Sequence, residues 1–163
     1  MSDFDIGTAA LGWWKGTLSD SGPGRMARAQ LRCCDSPAEA LQIEATHRLH
    51  RALGDRLTRK ADHLALIAVA LANVKENATD SAATRMGQTL SALRFQTLIR
   101  TLAPADLIRP LRRALAQIDH TAHVAGLACD LFYWSEDTRN RWAFAYYGAA
   151  IPQPIDTPQE SDA

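Results

Sequence analysis

Two histidine pairs at one-turn spacing, His47-x-x-His50 and His120-x-x-His123, are suited by type to bind a metal ion. On a helix each pair would put two imidazoles on one face. Glu44-x-x-His47 also matches the ligand pair of di-iron helical bundles, but that centre needs a second Glu-x-x-His and two further glutamates. The chain has only the one. Cys33 and Cys34 are adjacent and lack the C-x-x-C spacing of a zinc site. No local motif sets a histidine beside Cys33 to activate it as a nucleophile. Neither G-x-x-x-x-G-K-[ST] nor G-x-G-x-x-G occurs. Packed or solvated histidines are therefore the expectation, with no metal, no cofactor and no catalytic residue.

The arginines form a more specific pattern. Arg25, Arg28 and Arg32 recur at i, i+3, i+7, one face of a helix, and no acid lies between Asp20 and Asp35. Residues 94–118 hold five arginines against one acid, Asp106. Leu107, Leu111, Ala114, Leu115 and Ile118 share one side of a helix, and Arg109, Arg112 and Arg113 project from the other. Arg94 and Arg100 also lie off their helix's apolar stripe. A face meant only for solvation usually interleaves glutamate at i±4 to pair with such arginines. An uncompensated face repels itself, and a phosphate backbone would relieve the repulsion. A solvated arginine face, or one that pairs with acidic partner proteins, is the competing reading.

These side chains need helices to carry them. No stretch alternates apolar and polar residues over a strand's length, whereas 3.6-residue periodicity recurs, so the chain is expected to be all-α. Ala10, Trp13, Trp14, Thr17 and Leu18 mark a first amphipathic helix, stopped by Ser21-Gly22-Pro23-Gly24. A short helix follows from Arg25 to about Cys34. Ser36 and Pro37 then open a long one with Leu41, Ala45, Leu49, Leu53 and Leu57 on its core face. The run from His63 to Val74 is a buried helix, too short for the roughly 20 residues that span a bilayer. Residues 76–90 read as a loop with one helical turn. Ser91 caps a helix carrying Phe95, Leu98, Ile99 and Leu102. Pro104 and Pro110 divide a turn from a new helix. Helices over His120–Trp134 and Thr138–Ala150 complete the bundle, about seven to eight in all. Leu64 and Trp142 are expected in the core. Residues 1–150 form the helical domain, with possible sub-bundles at about 6–80 and 91–150. Residues 151–163 are a Pro-rich acidic tail.

With 163 residues and 47% apolar side chains, the chain can fold as a core of its own, without disulfide or metal. Three cysteines and no apolar leader point to a reducing cytoplasm. Net charge is zero, yet five acids lie at the two ends. Residues 6–150 keep all 18 basic residues against 13 acids, a surplus of five. Fifteen of the 18 are arginine, the better fork for phosphate.

Trp13-Trp14, R-A-Q-L-R at 28–32, the apolar helix begun by Arg59, R-F-Q-T-L-I-R at 94–100, L-R-R-A-L at 111–115, D-L-F-Y-W at 130–134 and W-A-F-A-Y-Y at 142–147 follow one another in order. In this order and spacing, over about residues 8–148, the chain resembles the CasB family, small subunits of the type I-E CRISPR surveillance complex Cascade. The resemblance implies an all-helical, non-catalytic protein of two packed sub-bundles. It implies two copies per complex, beside the backbone and large subunits, contacting crRNA and target DNA and steadying the R-loop. By position, the family's basic residues match Arg28, Arg32, Arg59, Arg94, Arg100, Arg112 and Arg113. Cys33 departs from the pattern, because many relatives carry a second basic residue there. The alternative is a structural helical adaptor whose arginine faces pair with acidic partner subunits without touching nucleic acid. A metal-dependent bundle enzyme is a remote third.

Overall fold

The computed structural model describes residues 3–54 and 60–149. Among them are ten helices: α1 (Asp3–Thr17), α2 (Gly22–Arg32), α3 (Pro37–Leu41), α4 (Glu44–Leu53), α5 (Ala61–Ala72), α6 (Ala82–Thr89), α7 (Ala92–Arg100), α8 (Pro104–Gln117), α9 (Val124–Phe132) and α10 (Glu136–Tyr146). Five of them begin at a serine whose hydroxyl accepts a backbone N–H of the first turn: Ser21, Ser36, Ser81, Ser91 and Ser135. Each satisfies one donor that a helix start leaves without a partner. Residues 57, 59 and 151–163, to which the sequence assigned a core leucine, a basic residue and the tail, lie outside the described residues.

The centre is α5. Every residue from Leu64 to Ala72 is buried, so this helix is apolar on all sides and is wrapped by α2, α3, α4, α8 and α9. Leu64 and Trp142 are both buried, as expected, and buried side chains of both halves join one cluster. Helix α1 lies along α9. A Cβ at Gly7 would stand 3.0 Å from the Ala125 carbonyl oxygen and 3.1 Å from Cys129 Sγ, so a side chain here would push the two helices slightly apart.

The C-terminal end of α5 would leave carbonyls unpaired in the interior, which costs free energy. Distant side chains satisfy them. Arg28 Nη1 and Trp14 Nε1 donate to the Val74 carbonyl at 2.6 and 3.0 Å, and His120 Nδ1 lies 2.8 Å from that of Asn73.

Several expectations need correction. The long helix after Ser36 is two helices. Thr46 Oγ1 donates to the Ala40 carbonyl at 2.7 Å and His47 Nε2 lies 2.6 Å from that of Leu41. These side chains take acceptors that a continuous helix would give to backbone N–H groups, which breaks the helix at Gln42-Ile43. Ser21-Gly22-Pro23-Gly24 starts α2 as well as ending α1, with Ser21 as cap and proline in the first turn. Residues 82–89 form a two-turn helix where the sequence suggested a loop with one helical turn; Ala82, Ala83 and Met86 anchor it. Pro110 lies inside α8 and does not divide it. An internal proline costs about 3 kcal/mol, and burial of Leu107, Ile108, Leu111, Ala114 and Leu115 on both sides of it holds the helix together. A two-residue parallel pair, Glu76–Asn77 (β1) with Thr121–Ala122 (β2), is the one strand pairing among the described residues. It leaves the protein predominantly all-α, with more helices than the seven or eight expected.

Candidate nucleic-acid interface

Helix α8 sorts its residues by angle. At 100° per residue, Leu107, Ile108, Leu111, Ala114, Leu115 and Ile118 fall on one side, and all are buried. Arg109, Arg113 and Ala116 fall on the opposite side, and Arg112 borders the two. Helix α7 contributes Arg94, which is exposed, while Phe95 and Leu98 enter the core. Helix α2 contributes Arg32, near its C-terminus.

Two clefts adjoin along this face, with Ala116 lining both. The first, of about 620 Å³, runs between α7 and α8. Arg94, Thr97, Arg113 and Gln117 supply its polar groups, and Leu90 and Leu93 its apolar wall. The second, of about 400 Å³, lies between α2 and α8 and is lined by Arg32, Cys33, Arg112 and His120. Four of the seven arginines named from the sequence are therefore brought together in pairs, Arg94 with Arg113 and Arg32 with Arg112. Among the described residues, Arg32, Arg94 and Arg113 have no ion-pair partner.

Of the other three, Arg59 lies outside the described residues. Arg100 is exposed at the end of α7 but lines neither cleft; six residues from Arg94, it points about 240° away around the helix. Arg28 has a structural task. Its guanidinium donates to the Leu18 and Val74 carbonyls, both at 2.6 Å, and lies 5.6 Å from the Trp14 ring centre. Burial pushes its pKa down, Asp20 pulls it back up, and Arg32 adds to the lowering.

Arg112 also differs from the expectation that it projects freely beside Arg113. Nη1 donates to the carbonyls of Cys34 at 2.8 Å and Arg32 at 3.3 Å, and Nη2 meets Asp35 Oδ1 at 2.6 Å. It ties α8 to the connection between α2 and α3. Arg109 reaches the same Asp35 oxygen at 3.7 Å. Asp35, Thr97 and Gln117 also belong to this face, and the sequence pattern did not single them out. For Asp35 the available signal was its place as the first acid after a stretch of fourteen residues without one.

The histidine pairs divide differently from the helical expectation. His47 and His50 do lie on α4. His120 and His123 lie between helices: His120 follows Asp119 in left-handed backbone (φ 57° and 58°), and His123 caps α9 by accepting the Gly126 N–H. Among the described residues no three His, Cys, Asp or Glu side chains gather as a metal site would require, and no helix is long and apolar enough to cross a membrane.

Comparison with known proteins adds an independent line. The family described as CRISPR-associated protein Cse2 matches residues 27–147. No curated protein matches the chain. Among solved structures, CasB from Thermus thermophilus is similar with a TM-score of 0.70 and 25% identity, over 88% of this chain and 98% of that one. A chain in the crystal structure of E. coli Cascade bound to a PAM-containing dsDNA target shares the fold, with a TM-score of 0.67 and 22% identity. That match covers 84% of this chain and 93% of that one.

Proposed function

Because the chain belongs to the Cse2 family of CRISPR-associated proteins, we propose that it is a non-catalytic small subunit of a cytoplasmic, type I-E Cascade-type ribonucleoprotein in antiviral defence. In this reading it sits against the backbone and large subunits with a second copy of itself. It holds nucleic-acid backbone, steadying crRNA–target pairing and the displaced DNA strand. The observation that carries the reading is the arginine face of α8 with the flanking Arg94 and Arg32, five arginines that among the described residues share one ion-pair partner, Asp35. Guanidinium forks suit phosphate oxygens, and backbone contacts of this kind position nucleic acid without reading its sequence. Sequence discrimination then belongs to guide pairing. Of the seven arginines matched to the family, Arg32, Arg94 and Arg113 are assigned the direct phosphate contacts. Arg59, by its match to the family, and Arg100 are assigned further ones, Arg112 a conditional one, and Arg28 support of the fold beneath.

The double substitution Arg94→Ala/Arg113→Ala tests this. Both side chains are exposed, so the thermal midpoint should hold. Affinity of the assembled complex for target DNA should fall about tenfold, whatever the sequence. The log–log salt dependence should flatten by roughly 0.7–0.9 for each phosphate that the variant no longer neutralises. Unchanged affinity and slope with full subunit incorporation would refute the assignment.

One observation favours the adaptor reading. Leu93, which is 73% exposed, lines the first cleft together with Leu90, Pro110 and Ala114, so the cleft offers apolar surface beside its arginines. If the face docks a protein, the same double substitution releases the subunit from the complex, and DNA affinity falls only with its occupancy. Measuring subunit stoichiometry beside affinity separates the two.

A further inference from the structure

Arg109 and Arg113 lie on the outer side of α8 and Arg112 at its border, but their surroundings are unequal. Asp35 lies against that side from the α2–α3 connection. Its Oδ1 accepts from Arg112 Nη2 at 2.6 Å and lies 3.7 Å from Arg109 Nε. Its side chain is 41% exposed, and the backbone N–H of Asp35 is tied to Glu39 Oε1 at 2.7 Å, so the carboxylate is held in place at the surface. The hydrogen bond from Arg112 holds its carboxyl below the usual carboxylate range, with Arg109 and Arg113 acting the same way. Asp35 is thus ionised near neutral pH.

We propose that Asp35 is a built-in competitor for phosphate: its carboxylate occupies the positions on Arg112 and Arg109 that a nucleic-acid phosphate oxygen would take, and must be displaced before these arginines contribute to binding. The proposal rests on the phosphate-binding reading of this face and adds its regulation. A carboxylate and a phosphate oxygen satisfy a guanidinium in the same geometry. Exchanging one for the other gains little when the phosphate arrives from dilute solution. It becomes favourable when the strand is already held nearby, because the local phosphate concentration is then in the millimolar range or above. The three other interface arginines with no ion-pair partner, Arg32, Arg94 and Arg113, offer such a first hold. The device keeps the free subunit a poor binder of arbitrary nucleic acid and reserves two arginines for nucleic acid the assembly presents.

Asp35→Asn tests the competitor without breaking the joint, since its amide oxygen still accepts from Arg112 while the charge is gone. Binding of the isolated subunit to a fluorescent single-stranded DNA of mixed sequence should tighten about tenfold. The log–log salt slope should steepen by roughly 0.7–1.8, the effect of neutralising one or two further phosphates. Asp35→Glu, which keeps the charge, should stay at the original level. Glu39→Gln removes an equal charge from the first turn of α3 while its amide oxygen still accepts the Asp35 N–H, and so controls for the general field. An equal gain from Glu39→Gln and Asp35→Asn would overturn the competitor, and so would an unchanged slope in Asp35→Asn. If Asp35→Asn lowers the thermal midpoint, Asp35→Ser, with a hydroxyl acceptor, is read in its place. Failure of the competitor alone leaves Arg94→Ala/Arg113→Ala still weakening DNA binding. If neither set of substitutions alters binding, the phosphate reading of the face falls as well.

Discussion

Arg28→Ala should destabilise the fold by about 2–4 kcal/mol, whether or not nucleic acid is present. The guanidinium makes two charge-assisted hydrogen bonds, to the Leu18 and Val74 carbonyls. Hydrogen bonds to a charged group contribute roughly 1.5–3 kcal/mol each, and removing one partner leaves the other without its bond. The Trp14 indole, which lies beneath Arg28, still donates to Val74. That second donor limits the loss at one carbonyl and leaves the Leu18 carbonyl exposed to the full effect. At roughly 2–4 °C per kcal/mol for a domain of this size, the midpoint should fall by about 4–16 °C. Arg28→Lys should recover only part of it, since a single nitrogen cannot take both of the guanidinium positions that reach the Val74 and Leu18 carbonyls. Differential scanning calorimetry on the isolated subunit measures this. A variant with a wild-type midpoint and weakened DNA binding would show instead that Arg28 serves phosphate directly.

Trp13→Ala is expected to cost about 3–5 kcal/mol, the range for removing a buried large aromatic side chain. The indole is 5% exposed between α1 and α4, and its Nε1 donates to the Ala45 carbonyl at 2.9 Å. Two effects therefore add, a cavity and the loss of the indole hydrogen bond to a helical carbonyl. Trp13→Phe separates them: it refills most of the volume and removes only that bond, so about 0.5–1.5 kcal/mol should remain missing. Urea titration monitored by circular dichroism gives both values. An alanine variant within about 1 kcal/mol of the parent would mean that α1 contributes little to the core.

Much of the fold can be read directly from spacing. The apolar run around α5 has one physical solution in a chain of this length, a helix buried on all sides, and that is what forms. Serine caps at 36 and 91 also stand out, because their hydroxyls act within three residues. Features set by tertiary neighbours do not stand out. On a helical projection Arg112 and Arg113 both lie off the centre of the apolar stripe, Arg112 nearer its edge. They differ because the α2–α3 connection presents two carbonyls and Asp35 to one and nothing comparable to the other. Arg28 shares a stripe with Arg25 and Arg32, yet faces the ends of two chain segments that only folding brings within reach. Pro110 reads as a breaker because local sequence does not show the buried contacts that hold α8 together across it. Two-residue strands are shorter than any period that could reveal them.

The carbonyls at the end of α5 have a consequence for the order of folding. Val74 is served by Trp14 and Arg28, synthesised before it, but Asn73 waits for His120, 47 residues later. The same late segment supplies the acceptor for the Lys75 N–H and the strand that pairs with Glu76 and Asn77. Closing so long a loop costs entropy that only the finished contacts return. This clasp should therefore close last, after α5 is already packed, and act as a latch whose removal speeds unfolding more than it slows folding. In stopped-flow kinetics, His120→Ala should leave the refolding rate nearly unchanged and raise the unfolding rate; the opposite pattern would place the latch in the folding nucleus.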